Sequence, residues 1–186
     1  MDIRLPAKYL AAASFCQADG ADARYFLNGI CIHYVAEKVQ VLGTNGHVLV
    51  QITTDIPWPV ESEDVIIRLS ADQRREVRKV ANLNTEVRLN AEFSLNGCTS
   101  PLELVDGIFP DCGAVMKSNL DDPAGDPPAF DPALLARFVS VAKVLNGDAR
   151  TPSIRLTQHG EHNATEVTFP AIPDDVCGLI MPLRVE

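Results

Sequence analysis

The stretch "GTNGH" at residues 43–47 sets an imidazole directly behind a glycine turn, between the apolar runs "KVQVL" and "VLVQI". His47 could act there as a catalytic base, a metal ligand, the lip of a binding pocket or an ordinary strand residue. The turn lacks the Lys and Ser/Thr of a phosphate-cradling loop. Cys31 and His33 alternate with apolar residues on one strand face, which core packing explains better than a Cys–His dyad. "HGEH" places His159 and His162 in an exposed hairpin turn, and two histidines without a third ligand make a poor zinc site. No G-x-S-x-G elbow is present, and the carboxylates of 121–126 lie in a proline-rich stretch. The sequence therefore predicts no catalytic site, no metal and no cofactor, and a protein that is not an enzyme.

Cations are the second chemical feature. Arg74, Arg75, Arg78 and Lys79 are spaced i, i+1, i+4 and i+5 and share one helix face opposite Val77 and Val80. Such a face can hold a phosphate backbone without reading bases, or it can be a solvated surface balanced by Asp72 and Glu76. Lys8, Arg137 and Lys143 add cations on two other helices. The net charge of −9 excludes a protein that coats nucleic acid through overall positive charge, yet leaves room for cations confined to one surface. Five scattered cysteines without C-x-x-C spacing read as reduced thiols of a cytoplasmic protein. No apolar run approaches the roughly 18 residues of a membrane span, and "MDIRLPAKYL" lacks the features of a signal peptide.

The elements that must position these residues repeat three times. "DIRLPAKYLAAASF", "VIIRLSADQRREVRKVANLN" and "AFDPALLARFVSVAKVLNG" each read as a short strand followed by a helix. Pro6 suits the first turn of the first helix. Ser70 caps the second, with Val77, Val80 and Leu83 inward. Asp131 caps the third with Pro132 at its first position, and Leu134, Leu135, Phe138, Val141, Ala142 and Leu145 face inward. About three alternating, antiparallel strands follow each helix, which makes the fold α+β. "KSNLDDPAGDPPA" is the linker, so the chain divides into a complete two-unit domain at 1–118, a linker at 119–128 and a single unit at 129–186.

Four motifs then resemble one family, the bacterial DNA polymerase III beta subunit or sliding clamp. "ARYFLNGICI" is similar to its R-Y-x-L-N-G strand, and "GTNGHVLV" to its T-D-G-H-R-L turn. "LVDGIFPDCGAV" resembles its DG-x-FPD-Y segment, and "LIMPLRVE" its C-terminal M-P-M-R-L tail. The motifs keep the family's order, so the chain resembles a shortened homologue, the middle domain plus the C-terminal half of the last. The resemblance implies the sliding-clamp fold, with helices lining a central hole and sheets forming an outer shell.

It also implies sites and partners. Carried across position by position, the groove for short hydrophobic peptides of polymerase, loader or repair proteins would be formed by Leu27, Thr44, Gly46, His47, Leu49, Pro110, Val115, Met181, Pro182, Leu183 and Arg184. Val48 stands where the family usually has arginine. The cations Arg74, Arg75, Arg78, Lys79, Lys8, Arg137 and Lys143 would face double-stranded DNA without sequence preference. The implied function is a DNA-associated processivity platform in replication. The alternative is a decoy that binds clamp-binding peptides without encircling DNA. A lone third unit leaves a sheet edge uncovered, which points to a homo-oligomer, a dimer or a tetramer.

Overall fold

The computed structural model describes residues 2–18, 20, 22–58, 64–81, 85–118, 128–146, 152–160, 163–173 and 175–183. The chain begins with β1 (Ile3–Pro6), α1 (Ala7–Cys16), a 3₁₀ turn (Tyr25–Asn28), β2 (Ile30–Val35), β3 (Lys38–Thr44) and β4 (Val48–Thr54). It continues with β5 (Val65–Arg68), α2 (Ala71–Val80), β6 (Glu86–Leu89), β7 (Glu92–Leu95), β8 (Cys98–Pro101) and β9 (Glu103–Leu104). α3 (Cys112–Ser118), α4 (Pro132–Asn146), β10 (Arg155–Thr157), β11 (Thr165–Thr168) and β12 (Asp175–Ile180) complete it. No described helix is long and apolar enough to cross a membrane.

Local chemistry explains where the helices start. Ser70 Oγ accepts from the Gln73 amide at 3.2 Å, and Gln73 Oε1 accepts from the Ser70 amide at 2.8 Å, so a reciprocal capping box opens α2. Asp131 Oδ1 accepts from the Ala133 amide at 2.8 Å at the head of α4, with Pro132 in the first helical position as expected. α1 departs from expectation by one residue: Pro6 ends β1 and the helix begins at Ala7. Ala7, Ala11, Ala12 and Ala13 are fully buried. Such small side chains let α1 sit on the sheet while α2 packs on it from one unit and α4 from another. Leu83, expected on the α2 stripe, and the expected linker, Pro128 apart, lie outside the described residues.

The sheets show an arrangement that the sequence pattern does not reveal. β1 leaves its own unit and pairs with β6, while β5 pairs with β2, so the first two units exchange their leading strands. One sheet has the order β1-β6-β7-β8; the other runs β10-β11-β12-β4-β3-β2-β5-β9. The third unit joins the first through β12 and β4, from Asp175 opposite Thr53 to Ile180 opposite Val48. Gly178 permits this junction, because a Cβ there would stand 2.9 Å from Leu49 O and 2.6 Å from a Phe138 ring carbon. In place of a regular leading strand the third unit has one bridge, Ala129 opposite Leu183.

Candidate functional site

The groove begins at the turn between β3 and β4. Asn45 Oδ1 accepts from the amides of His47 and Val48, both at 2.9 Å. Thr44 Oγ1 accepts from the Gly46 amide at 3.0 Å and donates to Val48 O at 2.7 Å. Gly46 takes φ +88°, a conformation open to glycine at little cost. These local bonds leave the His47 carbonyl pointing outward, and the Met181 amide donates to it at 2.8 Å. The segment after β12 is thereby tied to the turn more than a hundred residues earlier.

Around this bond lies a cavity of about 290 Å³ lined by Arg24, Phe26, Leu27, Thr44, Gly46, His47, Val48, Leu49, Pro110, Cys112, Val115, Ala164, Leu179 and Met181. Eight of the eleven expected groove positions are in this lining: Leu27, Thr44, Gly46, His47, Leu49, Pro110, Val115 and Met181. Pro182 and Leu183 are not, and the Leu183 amide instead donates to Ala129 O at 2.8 Å. Arg184 lies outside the described residues. The 3₁₀ turn supplies Phe26 and Leu27, and α3, whose Ala114 amide donates to Asp111 Oδ1 at 2.9 Å, presents Cys112 and Val115. Met181 and Val115 are 39% and 45% exposed, so apolar surface faces outward at the mouth.

Sequence reasoning missed Arg24, Phe26, Cys112, Ala164 and Leu179, and noted Val48 only as a departure from the family's arginine. Arg24 pairs with Asp22 at 2.9 Å and donates to Asn45 O at 3.2 Å, which holds its guanidinium over Gly46 at the rim. Hydrogen bonds from Arg24 keep the Asp22 carboxyl below its ordinary pKa. Two signals could have revealed part of the missing set. Leu179 lies two residues before Met181 along the same chain direction, and Arg24 opens the "RYFLNG" motif.

The basic face forms a separate hollow, lined by Ser14, Ala71, Arg74, Arg75, Arg78 and Lys79. Arg75 is paired with Asp72 at 2.7 Å and Lys79 with Glu76 at 2.8 Å. Arg78 donates to Ser14 O and Ser14 Oγ, both at 3.0 Å, and lies over the Phe15 ring, 4.1 Å from its centroid. Partial desolvation, and secondarily Arg74, lower its pKa. The Arg74 amide donates to Ser70 O at 2.9 Å, but its guanidinium has no hydrogen bond or ion pair among the described residues. On the other helices, Arg137 donates to Phe15 O at 3.3 Å and Gln17 O at 3.0 Å at the end of α1. Lys8 stands over the Tyr9 ring and Lys143 is exposed.

Comparison with solved structures places this architecture. A DNA polymerase sliding clamp from Pseudomonas aeruginosa superposes with a TM-score of 0.67 at 17% identity, over 100% of this chain and 66% of that one. A Bacillus subtilis sliding clamp gives 0.66 at 13% identity, over 100% and 65%. A P. aeruginosa DNA polymerase III beta subunit solved with griselimycin bound gives 0.64 at 18% identity, over 100% and 66%. The chain has the sliding-clamp fold. It spans about two thirds of the length of these clamps, at 65–66%. No protein-family model and no curated protein sequence matches the chain.

The remaining chemistry-bearing residues of this clamp fold lie apart from the groove or are held inactive. His33 Nδ1 faces Asp64 Oδ1 at 2.5 Å, not Cys31, in a hollow under α3 that adjoins the groove at Pro110 and Cys112. Burial, chiefly, pushes the Cys31 thiol up to about 12 and that of Cys112 up to about 11, so neither forms a thiolate near neutral pH. His159, expected in an exposed turn, is only 12% exposed; its Nε2 lies 3.8 Å from Glu166 Oε2, too long for a hydrogen bond. His162 and the carboxylates of 121–126 lie outside the described residues. Among the described residues no three His, Cys, Asp or Glu side chains cluster as a metal would require.

Proposed function

We propose that this protein is a DNA-associated clamp-type platform. Its groove takes short hydrophobic peptides of polymerase, loader or repair proteins, and it performs no chemistry of its own. The observation that carries this reading is the Met181–His47 backbone bond, around which dispersed apolar residues form one open cavity. An apolar cleft with Arg24, Thr44 and His47 at its edge suits an amphipathic peptide. A flexible methionine at its mouth adapts to different sequences. A Pseudomonas aeruginosa clamp of this fold has been solved bound to griselimycin. Residues 1–118 act as a complete domain and 129–186 as a half-domain whose β12 closes the groove.

Duplex DNA lies along the helices, with Arg74, Arg75, Arg78 and Lys79 as the main phosphate contacts and Lys8, Arg137 and Lys143 beside them. Contacts of this kind carry no base preference. The decisive experiment measures fluorescence anisotropy of a labelled clamp-binding peptide against wild type, His47→Glu and Met181→Glu. Both substitutions are at the cavity mouth and leave the core untouched, so binding is lost while circular dichroism is unchanged. Equal affinity in folded variants rejects the groove.

A second reading has its own support. Arg75, Arg78 and Lys79 are held by neighbours within the chain, and the net charge is −9. A decoy that captures clamp-binding peptides needs the groove and no DNA. Absence of duplex binding at low salt, with peptide binding intact, selects that reading.

A further inference from the structure

The first two units complete each other, and the third has no such complement within the described chain. Leu5 of β1 lies opposite Val87 of β6, and Ile67 of β5 lies opposite Ile30 of β2. All four are 0% exposed. β10 holds in the third unit the place of β6 in the second, the first strand after the helix, but it is the free end of the eight-stranded sheet. Leu156 of β10 lies opposite Val167, which is 0% exposed in the main core. Opposed residues share a sheet face, so Leu156 ends a row of core-facing side chains, yet it is 41% exposed.

α4 shows the same vacancy. Phe138, Val141, Ala142 and Leu145 are buried, and Arg137 reaches α1 on one flank. At about 100° per residue, Leu135, Val139 and Asn146 fall on the opposite flank. Val139 is 40% exposed there, and Asn146 Nδ2 is buried without a hydrogen-bond partner among the described residues. In contrast, α1 packs against both α2 and α4. Only nine residues, 119–127, separate α3 from Pro128, far fewer than the first unit spans from Ile3 to Thr54. The chain between them is too short to supply another half.

The geometry points to a second copy of this chain as the occupant, with residues 128–131 of each copy lying on β10 of the other and the two α4 flanks in contact about a twofold axis. Two identical halves then remake the exchange that the first two units make from different ones. Phe130 suits this role: it stands two residues before the first helical residue, Pro132, as Leu5 and Leu69 stand before Ala7 and Ala71. Leu5 and Leu69 are 0% and 2% exposed, whereas Phe130 is half-buried. A twofold contact is self-complementary, and it covers both open backbone edges together with Leu156 and Val139. The inference rests on the fold and not on the groove or on DNA.

The test is light scattering of the full chain across a wide concentration range, on wild type and on Val139→Glu, Leu156→Glu and Thr99→Glu. Wild type should show twice the chain mass or a multiple of it. Val139→Glu and Leu156→Glu should raise the dissociation constant by roughly tenfold or more. Glutamate at 139 precedes Lys143 by one turn, so the helix tolerates it, which keeps the test meaningful should Leu156→Glu fail to fold. Thr99→Glu, on the free edge β8, should leave this contact intact. A wild-type monomer at every concentration overturns the inference, as does an assembly that Val139→Glu leaves whole or that Thr99→Glu alone dissolves.

Discussion

In the groove, side chains from Arg24 to Met181 surround about 290 Å³, and a backbone hydrogen bond joins the far ends. Along α2, four cations that are already neighbours in sequence line a hollow of their own, and three of them are held by Asp72, Ser14 and Glu76. The contrast separates placement from availability. Spacing alone puts charges on one face but does not show what else binds them. Convergence in the groove is invisible to spacing, yet once formed it leaves apolar surface with no partner from the described chain.

The largest effect is expected from Gly46→Val. The glycine has φ +88°, and a Cβ would lie 2.7 Å from Arg24 Nη1, so the substitution distorts the turn and displaces the rim together. Peptide affinity measured by calorimetry should fall by roughly a hundredfold, about 2.7 kcal/mol. Undiminished binding would show that the turn does not shape the groove.

A smaller pair of effects divides the basic face. Arg74→Ala should lower the slope of log K against log salt for duplex binding by about 0.9 and leave the melting temperature unchanged. Arg78→Ala should cost about 1 kcal/mol of stability, because its bonds to Ser14 join α2 to α1 but are partly solvated. If the two variants behave alike in both measurements, the distinction between a held and an available cation fails.

The smallest effects are read from thiols. Burial raises Cys16, Cys31 and Cys177 from 9.0 to about 12. The unfolded chain therefore releases these protons first, so their stabilisation is complete below pH 9 and declines as pH rises from there towards 12. Chemical denaturation in that window should show a falling stability, less steep in Cys16→Ala. Cys112 lines the groove whereas Cys98 is exposed and distant from it, so bound peptide should slow labelling of Cys112 and leave Cys98 unaffected. Equal protection of both would mean that the peptide binds elsewhere.

Much of this was legible from residue order. Helix starts followed from Ser70, Asp131 and Pro132, because caps act within a few residues. His47 was singled out through the motif around it, and it lines the cavity. The exchange of β1 and β5 was not legible, since Ile3 and Leu89 find each other only when both units are folded, and strand propensity says nothing about which partner wins. Phe26, Cys112 and Ala164 were missed for the same reason: each reads locally as core, and only the approach of α3 and β12 opens a cavity beside them. Arg78 shows the opposite failure, a residue correctly placed on its face whose bonds to Ser14 needed α1 to be present.

The bond from Met181 to His47 makes the cavity common property of the first and third units, because it sits where β12 finishes its pairing with β4. A ligand there touches both sides of that join, so its binding free energy also opposes their parting. At a hundredfold excess over its dissociation constant that opposition amounts to about 2.7 kcal/mol. A peptide tethered in the groove would then act as a rivet through the sheet, and β12, the interior strand that closes the pocket, would be held most firmly while that ligand is bound.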